Sequence, residues 1–257
     1  HYRLYVPSVG YSLPTTQFTS KELSTIQSPA TNAFLSSFGY SRKTPREVVF
    51  GPAEAGGVGM RHLYPEQGTG QTMMLMGHLR SGGTLATHMS YALNWVQLHA
   101  GVTYPILEST AQGMDHMDFN WFISLCIFLH ESNLNLKIDD VYTVTLRRTN
   151  DRSLAEMLLC TPFSATIKKC VNRVRLYLKV ETISDIATAD GTKIVGLPSS
   201  TSRHMGPNLP YPGPKSWSTW HSFMHVLTKS DNITLQTQPK QRHHTPQLRD
   251  STSDEST

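Results

Sequence analysis

The chain has 257 residues, 38% of them hydrophobic, which is enough to bury a core in one large domain or two small ones. Its formal net charge is only +4, from 23 Lys and Arg against 19 Asp and Glu, so an anionic partner would have to be bound by local clusters of cations. No run approaches the roughly 20 apolar residues that span a bilayer, and three widely spaced cysteines exclude a disulfide framework.

The first 60 residues are predicted to contain one helix between irregular segments. Pro and Gly punctuate residues 5–14, which favours extended or looped backbone. Ser20 can cap a helix that ends at Gly39, and Pro29 inside it favours a kink or a break. Residues 48–50 are typical of a short strand. The apolar face of the helix is predicted to comprise Leu23, Ile26, Ala30, Phe34, Leu35 and Phe38.

A helical hairpin is predicted next. Its first helix runs from about Glu66 to Arg80, and residues 81–83 break it. Thr84 can cap the second helix, which ends near Gly101. The apolar side of the first helix is predicted to carry Met73, Met74, Met76 and Leu79.

The second half of the chain is predicted to be mostly helical as well. The pattern favours helices over about 118–130, 150–159 and 164–186, with one or two short strands in 136–146. An Asp-Gly turn is expected within residues 188–192.

The last part combines a linker, one helix and a tail. Residues 196–214 are rich in Pro, Gly and Ser, residues 217–227 are amphipathic, and the chain after about Lys229 lacks apolar periodicity and is predicted to be disordered. The fold class is therefore mainly α, with helical hairpins or a bundle and a few short strands. Four parts are predicted: an entry with one helix over 1–60, a helical extension over 61–195, a linker and Trp-containing helix over 196–228, and a tail over 229–257.

A series of motifs runs through most of the chain. The first is Phe50-Gly-Pro-x-x-x-Gly-Gly-x-Gly-x-Arg-x-Leu-Tyr-x-Glu-Gln-Gly68, followed by His78-Leu-Arg80. The later ones are Trp95-x-Gln-Leu-x-Ala-Gly101, Trp121 with Phe128-Leu129, Arg148-Thr-Asn-Asp-Arg-x-Leu154, Asn172-Arg-Val-Arg-Leu-Tyr-Leu178 with Ser184-Asp-Ile186 and Asp190-Gly191, and the pair Trp217 and Trp220. In this order they resemble the thumb and extension that follow the palm in retrotransposon-encoded reverse transcriptases.

The resemblance implies a non-catalytic, C-terminal fragment of an RNA-directed DNA polymerase. Such a fragment would hold an RNA/DNA template–primer duplex by its backbone and would contact the remainder of the polyprotein, but no membrane. No cofactor is expected in this chain, since Mg²⁺ would belong to the missing palm, and the location would be intracellular, cytoplasmic and/or nuclear. The residues that would carry the family's structural motifs are Gly56, Gly57, Gly59, Glu66, Gln67, Gly68, Asn150, Asp151, Asp190 and Gly191.

No catalytic or metal-ligating residue is predicted. The Tyr/Phe-x-Asp-Asp turn that holds the polymerase metals is absent, and Lys137-Ile-Asp-Asp140 lacks its aromatic residue, so a plain turn is expected there. The glycines of residues 51–59 lack the Gly-Lys-Ser/Thr ending of a phosphate-binding loop and predict a tight turn or a close backbone approach. His116 lies near Asp115 and Asp118, but without a third ligand at a recognisable interval.

Cations are gathered locally in two places, one within residues 42–61 and one along the predicted helix that begins near residue 164. Lys168, Asn172, Arg175 and Lys179 form one stripe on a predicted helix. Two interpretations stay open, a solvated face and a face that follows the phosphates of a nucleic acid. The predicted contacts are Arg42, Lys43, Arg46, Arg61, Lys168, Lys169, Arg173, Arg175 and Lys179, and six neutralised phosphates would give a log–log salt slope of about −5. Trp95 and Trp121 are predicted to be core residues, and Trp217 with Trp220 a packing anchor.

Two other hypotheses belong to different functional classes. The chain could be a helical scaffold that docks other parts of the polyprotein without touching nucleic acid. In that case, reversing the charges of Lys168, Arg175 and Lys179 would leave RNA–DNA binding unchanged, whereas Trp217→Ala would break assembly. The third hypothesis, an independent metal-dependent hydrolase, has no motif in its favour.

Overall fold

The computed structural model describes residues 5–108, 114–195, 209–229, 231 and 234–240. Within them the mainly α class is confirmed, since ten α-helices are joined by loops, two short 3-10 helices and isolated β-bridges. The helices are α1 (Tyr5–Gly10), α2 (Ser20–Ser37), α3 (Arg46–Phe50), α4 (Leu63–Ser81), α5 (Gly83–Ala100), α6 (Trp121–Glu131), α7 (Leu154–Leu159), α8 (Ala165–Leu178), α9 (Ile183–Ile186) and α10 (Pro214–Leu227). The 3-10 helices are Leu13–Thr15 and Ala53–Ala55.

The larger core lies between α4, α5 and α6. The predicted helical hairpin of α4 and α5 is confirmed, and Gly82 and Gly83 make its turn with positive φ angles of 70° and 85°. Its first helix begins three residues before the predicted start. At Gly68, a Cβ atom would lie 2.1 Å from Cγ of Phe128, so α4 and α6 can approach this closely only because that residue has no side chain.

A second core lies between α7, α8, α9 and α10. Val174, Trp220, Phe223 and Leu235 are almost wholly buried in it, which confirms Trp220 as a packing anchor. Two small apolar clusters, around Leu23 and around Leu35 with Val49, attach the N-terminal helices.

Helix α8 lies between the two cores and is buried on both of its long sides. Val171, Val174 and Leu178 face the second core. Asn172 and Arg175 instead contact the C-terminal end of α5, which belongs to the first core. The position of α8 therefore determines which of its cations are buried and which are exposed.

Three local predictions are wrong. Residues 5–14 are α1 and part of a 3-10 helix, because Pro7 stands in the first turn, where a helix needs no donor from it. Residues 48–50 end α3, which follows Pro45 and buries Val49, so burial overrides the β propensity of the run. Residues 136–146 form no strand. Leu136 donates its N–H to Leu107 and Val144 to Val102, but no ladder continues.

The apolar pattern of α2 predicted its buried face only in part. The predicted cap Ser20 is the first residue of the helix, and Thr19 is the N-cap and forms a capping box with Glu22. Pro29 lies within the continuous helix. Ile26 and Phe38 of the predicted apolar face are exposed, as is Met73 of α4, whereas the buried face of α2 consists of Leu23, Gln27, Thr31 and Leu35.

Two glutamines, Gln27 of α2 and Gln67 of α4, can be buried because each side-chain amide forms hydrogen bonds with backbone groups of a distant loop. Gln27 donates to the carbonyl of Arg61 at 2.6 Å and accepts from the N–H of Leu63 at 3.0 Å. Gln67 makes the same pair of bonds with Phe18, at 2.9 and 3.3 Å. A polar residue can thus face the core without an unsatisfied group.

The later segments follow the predictions in part. The Asp-Gly turn is confirmed, with Gly191 at φ 73° and an antiparallel bridge between Ala187 and Ile194. The disorder predicted after Lys229 is wrong for residues 234–240, because Leu235 is buried and Lys240 bridges Thr149. Most of the predicted linker, residues 196–208, and the tail from 241 lie outside the described residues.

Candidate nucleic-acid interface

Arg175 is the centre of the cation stripe on α8, and its side chain is only 2% exposed. Nε donates to Oδ1 of Asn172 at 2.8 Å, and Nη2 donates to the carbonyls of Leu98 and His99 at 3.2 and 2.7 Å. Burial lowers the pKa of Arg175 to about 10, and the group remains charged at neutral pH. The guanidinium thus satisfies the last carbonyls of α5, where the helix dipole also favours a cation.

The neighbours of Arg175 complete this cap. Asn172 donates to the carbonyls of His99 and His116, and Nε2 of His116 lies 2.8 Å from the carbonyl of Ala100. Ser153 donates its hydroxyl to the carbonyl of Gly101. Four successive carbonyls at the end of α5, from Leu98 to Gly101, therefore accept hydrogen bonds from side chains of distant segments. We call this network the α5 cap.

Lys168 belongs to the buried surroundings of the same network. Its ammonium donates to the carbonyl of Leu159 at 3.1 Å and lies 3.8 Å from the carboxylate of Asp115. The prediction that Lys168 and Arg175 contact phosphates is therefore wrong for this fold. Both side chains are buried and hydrogen-bonded within the chain, and neither could reach a ligand without breaking these contacts.

The other cations of α8 are more accessible. Lys169 and Arg173 lie 3.1 and 3.8 Å from the carboxylate of Asp118, which is itself largely exposed. Lys179 ends the helix as its C-cap, in the left-handed region with φ 57°. The predicted single stripe is thus divided between the protein interior and a partly neutralised surface.

The N-terminal cations have a different environment. Arg42, Lys43 and Arg46 are exposed, in the loop before α3 and at its first residue. Arg61 lies 3.7 Å from Glu66 and is more than half exposed, so this ion pair is weak. Glu66, one of the motif residues, thus makes only a surface ion pair with Arg61.

A shallow concave surface joins Arg46 to the outer side of α2. It is lined by Lys21, Ser24, Thr25, Ser28, Pro29, Asn32 and Arg46. Hydroxyls, an amide and cations are the groups that contact phosphate and sugar in protein–DNA interfaces. The sequence pointed to Arg46 but not to the α2 residues, although Lys21, Ser28 and Asn32 follow helical spacing and could have been recognised as one polar face. We call these residues, with Arg42 and Lys43, the α2–α3 surface.

Two carboxylates lie beside the α2–α3 surface. Glu22 accepts the N–H and hydroxyl of Thr19 in the capping box, which lowers the pKa of this carboxyl. Glu47 follows Arg46 on α3 and is exposed. Four cations against two carboxylates leave the α2–α3 surface with a local excess of positive charge.

The remaining motif residues shape the backbone. Gly56 and Gly59 have φ angles of 81° and 68°, and a Cβ at Gly57 would lie 2.3 Å from the carbonyl oxygen of Gly51, which confirms a tight turn with a close approach. Asn150 also has a positive φ, 63°.

Two aspartates of the motifs organise loops by hydrogen bonding. Asp151 is buried and accepts backbone N–H groups from Arg147, Arg152 and Ser184. Asp190 bonds the hydroxyls of Thr188 and Thr192, and these bonds lower its pKa to about 2. Both residues are explained by turn geometry.

The structure also bears on catalysis and on membranes. Asp139 and Asp140 lie in a turn, as predicted. Within the described ranges, no three His, Cys, Asp or Glu residues gather as a metal site would require. None of the helices there has the length and apolar character needed to cross a membrane.

The tryptophans divide differently from the prediction. Trp95 is 41% exposed, so its assignment to the core is wrong, and its ring lies 4.8 Å from that of His99 at an angle of 44°. Trp121 packs against the first core and donates to the carbonyl of Pro14 at 2.7 Å. Trp217 lies in an aromatic group with Tyr177 and Tyr211.

Comparisons with protein-family models, with curated proteins and with solved structures gave no match.

Proposed function

We propose that this chain is a non-catalytic, post-palm region of a retrotransposon reverse transcriptase that holds a template–primer duplex by its phosphates. The observation that carries the proposal is the α2–α3 surface. Its cations are exposed, and two of them, Lys21 and Arg46, share one concave face with hydroxyl and amide groups of α2. The order of the motifs along the sequence supports the assignment to this class of protein.

The contacts proposed for the duplex are Lys21, Arg42, Lys43 and Arg46. Exposed cations with few carboxylate neighbours can neutralise phosphates without first losing a buried hydrogen bond. Such contacts hold a duplex without reading its bases. Arg61 lies outside this surface and is at most an auxiliary contact, because Glu66 already accompanies it.

The cations of α8 have a supporting role in this proposal. Lys168 and Arg175 hold the end of α5 and join the two cores. Their contribution to binding is then indirect, through the stability of the fold.

Binding of a labelled RNA–DNA hybrid across a range of salt concentrations tests the proposal. Four phosphate contacts predict a log–log slope of about −3.6, and Arg42→Gln/Lys43→Gln/Arg46→Gln should reduce its magnitude by about 2.7. The matched control is Arg80→Gln/Lys137→Gln/Lys229→Gln, which neutralises three exposed cations elsewhere on the chain and should leave the slope close to that of the parent. A flat salt response of the parent chain, or equal changes of the salt slope in the two variants, would contradict the proposed binding of the duplex.

A helical scaffold without nucleic-acid contact is the second candidate. It is supported by the fact that Lys168, Lys169, Arg173 and Arg175 all have partners within the chain. In a scaffold, the triple Gln variant would leave hybrid binding unchanged, and Trp217→Ala would instead weaken association with other parts of the polyprotein. The same titration therefore separates the two candidates.

A further inference from the structure

A large cleft lies beside α5, away from the α2–α3 surface, and its walls carry three exposed aromatic rings. Its volume is about 1080 Å³. Tyr91 and Trp95, one helical turn apart on α5, are 69% and 41% exposed, and Tyr142 from the segment opposite is 36% exposed. Three large rings facing one cleft indicate a binding surface, because exposed apolar area of this kind is otherwise unfavourable.

The ring of Tyr142 is held in place from two sides. Its backbone N–H donates to Oδ1 of Asn94 at 2.6 Å, and its hydroxyl donates to the carboxylate of Glu181. Burial and the bond to Glu181 raise the pKa of Tyr142, so the phenol stays protonated. The ring opposite α5 is thus fixed before any ligand arrives, which reduces the entropy that binding must overcome.

A smaller cavity of about 420 Å³ adjoins this cleft. The two share His99, Leu176 and Leu209 in their walls. The smaller cavity is lined by Lys169 and Arg173, with Asp118 between them.

The start of α10 also lines the smaller cavity, at the N-cap Gly213 and at Ser216 in the first turn. Among the described residues no side chain caps this 14-residue helix, and its first turn holds no acid, so its N-terminal dipole favours an anion. His116, which lines the cavity and is 2% exposed, has Nδ1 without a hydrogen-bond partner in the described part of the chain. Since Nε2 donates to Ala100, Nδ1 of the neutral ring is an acceptor, which suits an N–H donor of a base and not a phosphate oxygen.

The charges of the two cavities favour a polyanion over a neutral peptide. Apart from Arg175, which is buried in the α5 cap, their walls hold four cations, Arg147, Lys169, Arg173 and Lys179, and three carboxylates, Asp118, Asp140 and Glu181. Glu181 is already bonded to Tyr142, while Arg147 is shared with Asp185 outside the cleft at 3.2 Å. Aromatic rings next to a positive groove are the combination that binds single strands, because every base offers a face for stacking.

We propose that the two cavities together bind unpaired nucleotides of a single-stranded nucleic acid. The bases stack on Tyr91 and Trp95 in the cleft, and a phosphate lies at Lys169 and Arg173 beside the start of α10. This site is separate from the α2–α3 surface and does not rest on the duplex grip. It gives the chain two modes of contact, one for paired and one for unpaired nucleic acid.

Fluorescence anisotropy with a labelled ten-residue oligo-dT and the full chain tests the site. Trp95→Leu should weaken binding about tenfold, and Trp95→Phe should retain most of it because a ring remains. Lys169→Gln/Arg173→Gln should weaken binding and reduce the salt slope by about 1.4. The matched control is Tyr11→Leu, which removes a ring that is 91% exposed and lies outside both cavities, and it should have no effect. Circular dichroism checks that each variant is folded.

Two further measurements make the test independent of the proposed function. Arg42→Gln/Lys43→Gln/Arg46→Gln should leave oligo-dT binding unchanged even where it lowers hybrid binding. Quenching of tryptophan fluorescence by oligo-dT should largely disappear in Trp95→Leu. Equal oligo-dT affinity of the parent and Trp95→Leu, loss of oligo-dT binding in the triple variant, or binding of a proline-rich peptide in place of the oligonucleotide would each overturn the proposal.

Discussion

The α5 cap and the α2–α3 surface carry the same kinds of side chain in opposite environments. In the α5 cap, Arg175 and Lys168 are buried, and each donates to backbone carbonyls. On the α2–α3 surface, Arg42 and Arg46 are exposed to water. A cluster of cations can thus be a structural element as readily as a binding surface, and the groups opposite each cation decide which it is. Substitutions in the α5 cap should therefore change stability, and those on the α2–α3 surface should change binding.

The largest effect is expected from Arg175→Met. The variant fills most of the volume but leaves the carbonyl of Leu98 and Oδ1 of Asn172 without the donors that Arg175 supplies, and each buried unsatisfied group costs about 1–3 kcal/mol. The free energy of unfolding in urea should fall by about 4 kcal/mol. Arg42→Met, its exposed counterpart, should change it by less than about 0.5 kcal/mol. Equal costs for the two variants would erase the contrast between the regions.

The second prediction concerns the pH dependence of stability. Burial lowers the pKa of His116 to about 4, with Arg175 and Lys168 acting in the same direction, and the bond to Ala100 and nearby Asp115 opposing them. In the unfolded chain the pKa of His116 is near 6.5. Between about pH 4 and pH 6.5, His116 is therefore protonated in the unfolded chain but neutral in the folded chain. Stability is present above about pH 6.5 and is lost as the pH falls toward 4, by up to about 3 kcal/mol.

His116→Gln should flatten this dependence, since Gln can donate to Ala100 but does not titrate. The measurement is the urea midpoint of both proteins between pH 4 and pH 7.5. His99, whose pKa burial also lowers, contributes to both curves and cancels in their difference. Parallel curves for the parent and the variant would show that His116 does not titrate as a buried group.

A third, smaller effect is expected from Gly101→Ala. A Cβ there would lie 2.5 Å from Nη1 of Arg175, and the residue has φ 65°. Gly39 has a similar φ of 75° but nothing within 4 Å of its Cβ position, so Gly39→Ala isolates the backbone strain. We expect Gly39→Ala to lower the free energy of unfolding by about 1 kcal/mol, and Gly101→Ala to lower it by about 2 kcal/mol more. Similar melting temperatures of the two variants would mean that the guanidinium moves aside freely.

The smallest effect is expected from Asp118→Asn, which removes the carboxylate beside Lys169 and Arg173. This group is largely exposed, so the change in stability should be below about 1 kcal/mol. Asp151→Asn is the buried counterpart and should cost more, because Asp151 accepts three backbone N–H groups. Urea unfolding of both variants measures the difference, and a larger cost at Asp118 would reverse the expected order.

Much of the helical architecture could be predicted from local signals. Ser81 to Gly83 marked the turn between α4 and α5, and the apolar run at residues 121–129 marked α6. The Asp-Gly pair at 190–191 marked a turn. These features depend on the backbone preferences of neighbouring residues, which the sequence displays directly. The same signals failed for residues 48–50, where burial of Val49 against α2 favoured a helix.

The candidate site was predictable only in part. Arg42, Lys43 and Arg46 stand in a polar loop, and their exposure follows from it. The buried cations of α8 were not predictable, because a polar stripe on an amphipathic helix normally faces water. Trp95 was assigned to the core since it stands in an apolar helix, yet the cleft beside α5 leaves it exposed.

Periodicity and capping residues located α2, α4, α5, α6 and α10 to within three residues, because these signals act over a few neighbouring positions, but they missed α1, α3 and the break between α8 and α9. Which polar side chains are buried depends on the packing of distant segments. Helix α8 has an apolar side and a polar side, and its own sequence favours exposure of the polar side. It lies between two cores, and the uncapped carbonyls at the end of α5 supply the acceptors that allow Arg175 and Asn172 to be buried. Those acceptors come from residues more than 70 positions away, where no local pattern could reveal them.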